Sequence, residues 1–323
     1  MTTSSRFHLA FASLAVLAAS AVQAQTYTGI QDATPTAVGL NGTVKDDGWY
    51  NLTSQSQTKV VDGVSTTIAG NTGYPSVFQS TNPWPQGIAS QVNTSGASTA
   101  ANFNKVGNGS GFGPYPASDS LYAISFSNNY NAKGGTLGVF ESNPLANLGT
   151  VVFQLEMGSA NGYDFYEPSV TTGGATPLGT ASNRSIGELS VTNYFPMLNL
   201  TFADSSTLSL AADFAELAAK GSNGTIEMPT GPGGSNVEET IWINLYAFQW
   251  DLSSYSNVAS YNVTWSVVEH SQTYAARLTQ SDVFTQVVAA PVPEPQTYAM
   301  MLAGLGMMGL MLRRRKSQAS RTA

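Results

Sequence analysis

The chain contains no cysteine among its 323 residues. That excludes a disulfide framework, a thiolate metal site and a cysteine nucleophile. Histidine is nearly as scarce, with His8 and His270 alone. Histidine catalysis needs an imidazole beside a nucleophile or a carboxylate. In "VVEHSQTYAARL" the neighbour of His270 is Glu269, but successive strand residues point to opposite faces. A strand-end histidine with a structural role is the simpler reading. A zinc site needs at least three suitable ligands, and one histidine without cysteine falls short, so no metal and no cofactor is expected. Charge is sparse too, at 10% of residues. Between Gln25 and Pro291 there are 19 acids and 7 bases, a balance of −12. Phosphate neutralisation requires clustered Lys and Arg, so this body is not suited to nucleic acid. Low charge with 31 Gly, 15 Pro and abundant Ser, Thr and Asn fits a β-rich extracellular protein.

What is present is concentrated at the ends. "MTTSSRFHLAFASLAVLAASAVQAQ" has a weakly basic start at Arg6, an apolar stretch from Phe7 to Val22, and small residues before a cut between Ala24 and Gln25. It reads as a secretory signal peptide over 1–24, which implies passage through the Sec translocon. At the other end, Tyr298 to Leu312 is 15 residues without charge. As a helix it covers about 22 Å of a roughly 30 Å hydrocarbon core. A helix over 297–312 therefore spans only by borrowing flanking residues or thinning the bilayer. Arg313, Arg314, Arg315 and Lys316 follow directly and stay cytoplasmic under the positive-inside rule. Gly304, Gly306 and Gly309 fit GxGxxG, but no strand precedes them and no acid follows. A dinucleotide site needs both, so no nucleotide is expected.

The segment "VPEPQTYAMMLAGLGMMGLMLRRRK" resembles the PEP-CTERM sorting domain of Gram-negative bacteria. Pro293, Glu294 and Pro295 match the triplet. Tyr298 stands where the family carries Trp or Tyr, methionines replace leucines in the Gly-rich helix, and Arg313 to Lys316 match the basic end. The resemblance implies an exosortase as processing partner, with Pro293, Glu294 and Pro295 as substrate residues. It further implies a precursor held in the inner membrane, then delivery to the cell surface or extracellular matrix.

Between the ends, 25–290 reads as one secreted body of strands separated by Gly, Asn, Ser and Pro turns. Val151, Phe153, Leu155 and Met157 share one strand face; so do Leu198, Leu200 and Phe202, and again Tyr261, Val263, Trp265 and Val267. In "ETIWINLYAFQWDL" one face carries Ile241, Ile243, Leu245 and Ala247, the other Trp242, Asn244, Tyr246, Phe248 and Trp250. Period-two alternation of this length is strand behaviour. The expectation is an all-β fold, an antiparallel two-sheet sandwich, with the jelly roll as one form that fits. One short helix is expected in "SLAADFAELAAKG", stopped by Gly221. Residues 79–116 read as mostly loop, a functional contact or an excursion of a large sandwich with short strands.

Catalytic signatures are thin. Ser56 and Lys59 fit SxxK without its companion motifs. Asp46-Asp47-Gly48 lacks the spacing of a calcium loop and reads as a turn before Trp49. A glycosidase needs only two carboxylates, and "NGYDFYEPSV" sets Asp164 and Glu167 among Tyr163, Phe165 and Tyr166. Core aromatics with solvated acids explain that stretch more simply, and Tyr163, Asp164, Tyr166 and Glu167 stand as the candidate sugar contact. The leading expectation is a non-enzymatic surface or matrix protein, which the resemblance links to exopolysaccharide, biofilm or floc. A polysaccharide-binding module is the alternative and a carbohydrate-active enzyme the second.

Overall fold

The computed structural model describes residues 34–71, 84, 87–93, 101–109, 111–117, 119–123, 133–159, 176–177, 185–186, 189–190, 195–229, 236–268 and 271–288. Every regular element among them is a strand. In chain order these are β1 (Val44–Trp49), β2 (Gln57–Val61), β3 (Val64–Ile68), β4 (Ile88–Ala89), β5 (Val92–Asn93), β6 (Ala101–Asn108), β7 (Tyr115–Pro116), β8 (Leu121–Tyr122), β9 (Lys133–Glu141) and β10 (Thr150–Ser159). There follow β11 (Thr176–Pro177), β12 (Ser185–Ile186), β13 (Leu189–Ser190), β14 (Met197–Phe202), β15 (Thr207–Ala211), β16 (Phe214–Pro229), β17 (Asn236–Asp251), β18 (Val258–Val268) and β19 (Gln272–Ser281).

Two large antiparallel sheets carry the body. The first runs β11-β16-β17-β10-β19-β1-β5, with β8 beside β19 and β7 beside β8; the second runs β15-β14-β18-β9-β6-β4. Two hairpins, β2–β3 and β12–β13, stand apart. The sheets turn one apolar face each toward a common core. Val151, Phe153, Leu155 and Met157 of β10, with Tyr246, Phe248 and Trp250 of β17, meet Leu198 and Leu200 of β14 and Tyr261, Val263, Trp265 and Val267 of β18 in a single buried cluster. Rings lock the layers together: Phe153 lies 5.0 Å from Trp265, and Trp49 lies 6.3 Å from Phe103 (centroid distances). Aromatic side chains bury the most area per residue, which is why this seam is built of them. The stripe in β17 is thus inter-sheet core at Tyr246, Phe248 and Trp250. Trp242 is only half-buried, with the Lys220 ammonium 4.5 Å from its ring centre.

Three expectations need correction. Residues 209–221, expected as a helix, are strand except at Ala212 and Asp213: β15 ends at Ala211 and β16 begins at Phe214. Alanine favours a helix by only a few tenths of a kcal/mol per residue. Here 13 residue pairs join β16 to β17, and Ala215 and Leu217 alternate into the core. The Asp46-Asp47-Gly48 turn is also absent, because these residues lie within β1, paired to Thr279, Leu278 and Arg277 of β19. Residues 79–116, read as mostly loop or as an excursion with short strands, contain the two-residue strands β4, β5 and β7 and also β6, an eight-residue strand inside the second sheet between β9 and β4. The expected signal helix and the membrane helix over 297–312 lie outside the described residues. Among the described residues no helix is long and apolar enough to cross a membrane.

The outer face of the first sheet is covered by the chain itself. Asp62 and Gly63 join β2 to β3 with φ of 49° and 79°. Two consecutive positive φ values define the type I′ hairpin turn that Asp-Gly favours. That hairpin packs Val61 and Ile68 on Tyr50 and Ala275. Further along, Val38, Leu40, Val287 and Val288 cover Val152 and Ala247. Gln249 holds the second of these segments: its Nε2 donates to the Thr285 carbonyl at 2.6 Å, and its Oε1 accepts from the amides of Val287 and Val288, each at 2.9 Å.

Candidate functional site

The residues that the sequence singles out lie at the margins of the body. Ala24, Gln25, Tyr163, Asp164, Tyr166, Glu167, His270, the Pro293-Glu294-Pro295 triplet and the basic block Arg313 to Lys316 all fall outside the described residues. Within the described body, two clusters of ionisable groups stand out, one on each face of β1. Strand alternation sends Asp46 outward and Asp47 inward.

Asp46 meets Arg277, its near neighbour on β19. Arg277 Nε donates to Asp46 Oδ1 at 2.8 Å, and Nη2 closes the second arm on Asp46 Oδ2. Thr279 Oγ1 donates to the same Oδ1 at 2.9 Å. Across the guanidinium lies the hairpin tip: Nη1 and Nη2 donate to Asp62 Oδ1 and Oδ2 at 2.8 and 3.1 Å. Nη1 reaches Tyr50 Oη at 2.9 Å, and that hydroxyl donates to the Pro35 carbonyl at 2.8 Å. One cation thus bridges two carboxylates in the paired-fork geometry that suits arginine. Burial works against the charged guanidinium, yet its bonds to Asp46 and Asp62 hold its pKa above the ordinary arginine value. Burial raises the Asp62 pKa, but Arg277 and the Ala37 amide outweigh it and hold that carboxyl below the usual range. The arrangement docks the β2–β3 hairpin and the 34–37 segment onto the sheet. Sequence reading missed it, although a lone Arg in "TYAARLTQS" was a usable signal: a buried cation requires a buried anion.

The inward cluster sits between the sheets. Asp47, Glu141, Tyr261 and Gln280 are each at most 2% exposed. Gln280 Nε2 donates to Glu141 Oε2 at 3.0 Å, and the Asn143 amide donates to Glu141 Oε1 at 2.7 Å. Asp47 Oδ1 and the Tyr261 hydroxyl oxygen are buried without a partner among the described residues. Burial is the main force on Asp47. With the charges of Glu141 and Asp46 it outweighs the Ser90 hydrogen bond, and the pKa is pushed up to about 6. A buried carboxyl with a raised pKa near a second acid is the raw material of acid–base chemistry. These two are buried between the sheets. Among the described residues no group of three or more His, Cys, Asp or Glu could hold a metal ion. Another buried charge, Lys105, donates to the Phe112 carbonyl at 3.0 Å and lies 5.8 and 5.3 Å from the ring centres of Trp84 and Tyr115. Burial lowers its pKa to about 8.

The raised pKa of Asp47 has a definite sign. The folded state binds its proton more tightly than the unfolded chain, so stability falls as pH rises from about 4 to about 6 and then levels off. Asp47→Asn removes that slope. It is expected to stabilise the protein at neutral pH by on the order of 1 kcal/mol. Urea midpoints of parent and variant from acid to neutral pH check this, and parallel curves refute it.

Comparison with known proteins places the identifiable feature in the tail. Residues 291–316 match the family model of the PEP-CTERM protein-sorting motif. The chain therefore carries a sorting signal at its C-terminus, as the triplet, apolar run and basic block indicate. The motif implies export, a membrane-anchored precursor and processing by an exosortase. No curated protein and no solved structure matches the chain.

Proposed function

We propose that this is a structural protein of the cell surface or extracellular matrix, made as a signal-peptide precursor and delivered by exosortase processing at Pro293-Glu294-Pro295. The match of 291–316 to the sorting motif carries this reading. The rest supports it. The signal-like start accounts for passage through the Sec translocon. The short apolar run and Arg313 to Lys316 make a temporary anchor in the inner membrane. The body is a β protein with a single dominant core, and Asp47 and Glu141 are buried between its sheets. In this reading the body works without catalysis, and its role is physical association with exopolysaccharide in a biofilm or floc.

Fractionation of the producing cells, with mass spectrometry of both termini, tests the proposal. The expected mature species begins at Gln25, ends near the Pro-Glu-Pro triplet and lies outside the inner membrane. Replacing Pro293, Glu294 and Pro295 by alanine is expected to trap an unprocessed chain in that membrane. Unprocessed wild-type chain in the cytosolic fraction would refute the proposal.

A further inference from the structure

The two outer faces of the body differ. The first sheet is covered by residues 34–40, the β2–β3 hairpin and 284–288. The second has no such cover among the described residues. Its register aligns one outward row across five strands: Asn102 pairs with Phe140, Phe140 with Asn262, Asn262 with Asn199, and Asn199 with Ser209. Strands lie about 4.8 Å apart, so this row runs for roughly 19 Å, the length of a short oligosaccharide. Two open depressions flank it. One, of about 270 Å³, includes Asn199, Ser209 and Thr264 in its wall; the other, of about 470 Å³, is lined by Gly87, Asn102, Asn104 and Phe140.

We infer that this row binds an uncharged polysaccharide chain. The inference rests on the reading of the body as a matrix component and names the surface that makes the association. No side chain in the row is ionisable, although the body from Gln25 to Pro291 carries −12. Neutrality here suits a neutral glycan and supplies no counter-charge for an anionic one. A sugar ring presents an apolar face and a rim of hydroxyls. It is matched by an aromatic ring between hydrogen-bonding amides, and half-buried Phe140 stands between Asn102 and Asn262.

The amides are also pre-set, which lowers the ordering cost of binding. Asn199 Nδ2 donates to Asn262 Oδ1 at 2.9 Å and to Thr264 Oγ1 at 3.1 Å, while Ser209 Oγ donates to Asn199 Oδ1 at 2.6 Å. That pattern uses the Asn262 side-chain carbonyl and a lone pair of Thr264 Oγ1 as acceptors, so what each has to offer a ligand is its donor, the N–H₂ and the hydroxyl proton. Beside the ring sits Gly138. A Cβ there would come within 3.0 Å of Phe140 Cε2 and 3.1 Å of Thr264 Cγ2, so the glycine lets the ring settle against the sheet.

The test uses the full chain in detergent micelles and calorimetric titration with hexasaccharides of glucose, mannose, xylose and galactose, and with a galacturonic acid hexamer as the anionic probe. At least one neutral hexasaccharide is expected to bind, with an affinity insensitive to salt. Phe140→Ala is expected to weaken it about tenfold or more, as loss of a central aromatic anchor does. Asn262→Asp, nearly isosteric and half-exposed, is expected to weaken it severalfold, which keeps the test informative if Phe140→Ala disturbs folding. No binding of any neutral probe, preference for the galacturonic acid hexamer, or unchanged affinity in both variants overturns the inference. Dimerisation through this face, abolished by Phe140→Ala, would assign it to a second copy and also overturn it. The titration is independent of sorting, so its failure leaves the processing result standing, and the reverse holds equally.

Discussion

Arg277→Ala is expected to cost about 3–5 kcal/mol, because it leaves Asp46 buried without its counter-charge. That is a large part of the roughly 5–15 kcal/mol that holds a typical domain together. Asp46 keeps the Thr279 hydroxyl but loses both arms of the guanidinium, and Asp62 loses both of its bonds from it. The β2–β3 hairpin then has little to pin its tip, so the variant should become sensitive to proteolysis between Gln55 and Ala69. Asp62→Asn should cost far less, about 1 kcal/mol or below, since that carboxylate is 31% exposed. Asp62 also gives a pH signature. Its lowered pKa means that its contribution is present above the ordinary aspartate value and lost as pH falls through the folded one. Urea unfolding of parent, Arg277→Ala and Asp62→Asn separates the two roles. Equal losses in both variants would refute the bridge as described.

The second large effect lies in the seam between the sheets. Trp265→Ala is expected to cost about 3–5 kcal/mol by opening a cavity where Phe103 and Phe153 meet the indole. Trp265→Phe should cost much less. The indole Nε1 is buried without a partner among the described residues, and removing an unsatisfied donor offsets part of the lost contact. A double-mutant cycle between Phe153 and Trp265 should give a coupling of at least about 0.5 kcal/mol. Additive losses would mean that the two layers do not meet there.

Much of this seam is legible from residue order alone. In β10, β14 and β18 the apolar residues alternate without interruption, and the faces read from sequence are the faces buried in the core. In β17 both faces are apolar, so alternation shows a strand but not which side is inner. The structure turns Tyr246, Phe248 and Trp250 inward and leaves Ile243 and Leu245 to a smaller cluster with Ala219 and Tyr274. β6 was hidden by its own chemistry: its inward residues are Ala101, Phe103 and Lys105, and a buried lysine spoils the pattern. The alanines of 209–221 spoke for a helix because intrinsic propensity is local, whereas the partner strand β17 arrives from elsewhere in the chain. The Arg277 bridge joins residues 231 positions apart, a distance at which no local spacing rule applies. The sorting tail was readable for the opposite reason, since its triplet, apolar run and basic block are contiguous.

The position of β19 has a mechanical consequence. The strand nearest the tail is an interior one, bonded to β10 on one side and β1 on the other, with Ser281 set against Val44 at the end where the chain departs. Tension drawn through the C-terminus therefore pulls along β19, and its hydrogen bonds on both flanks must shear together instead of peeling one pair at a time from a free border. A body tethered this way resists being dragged apart by its own leash.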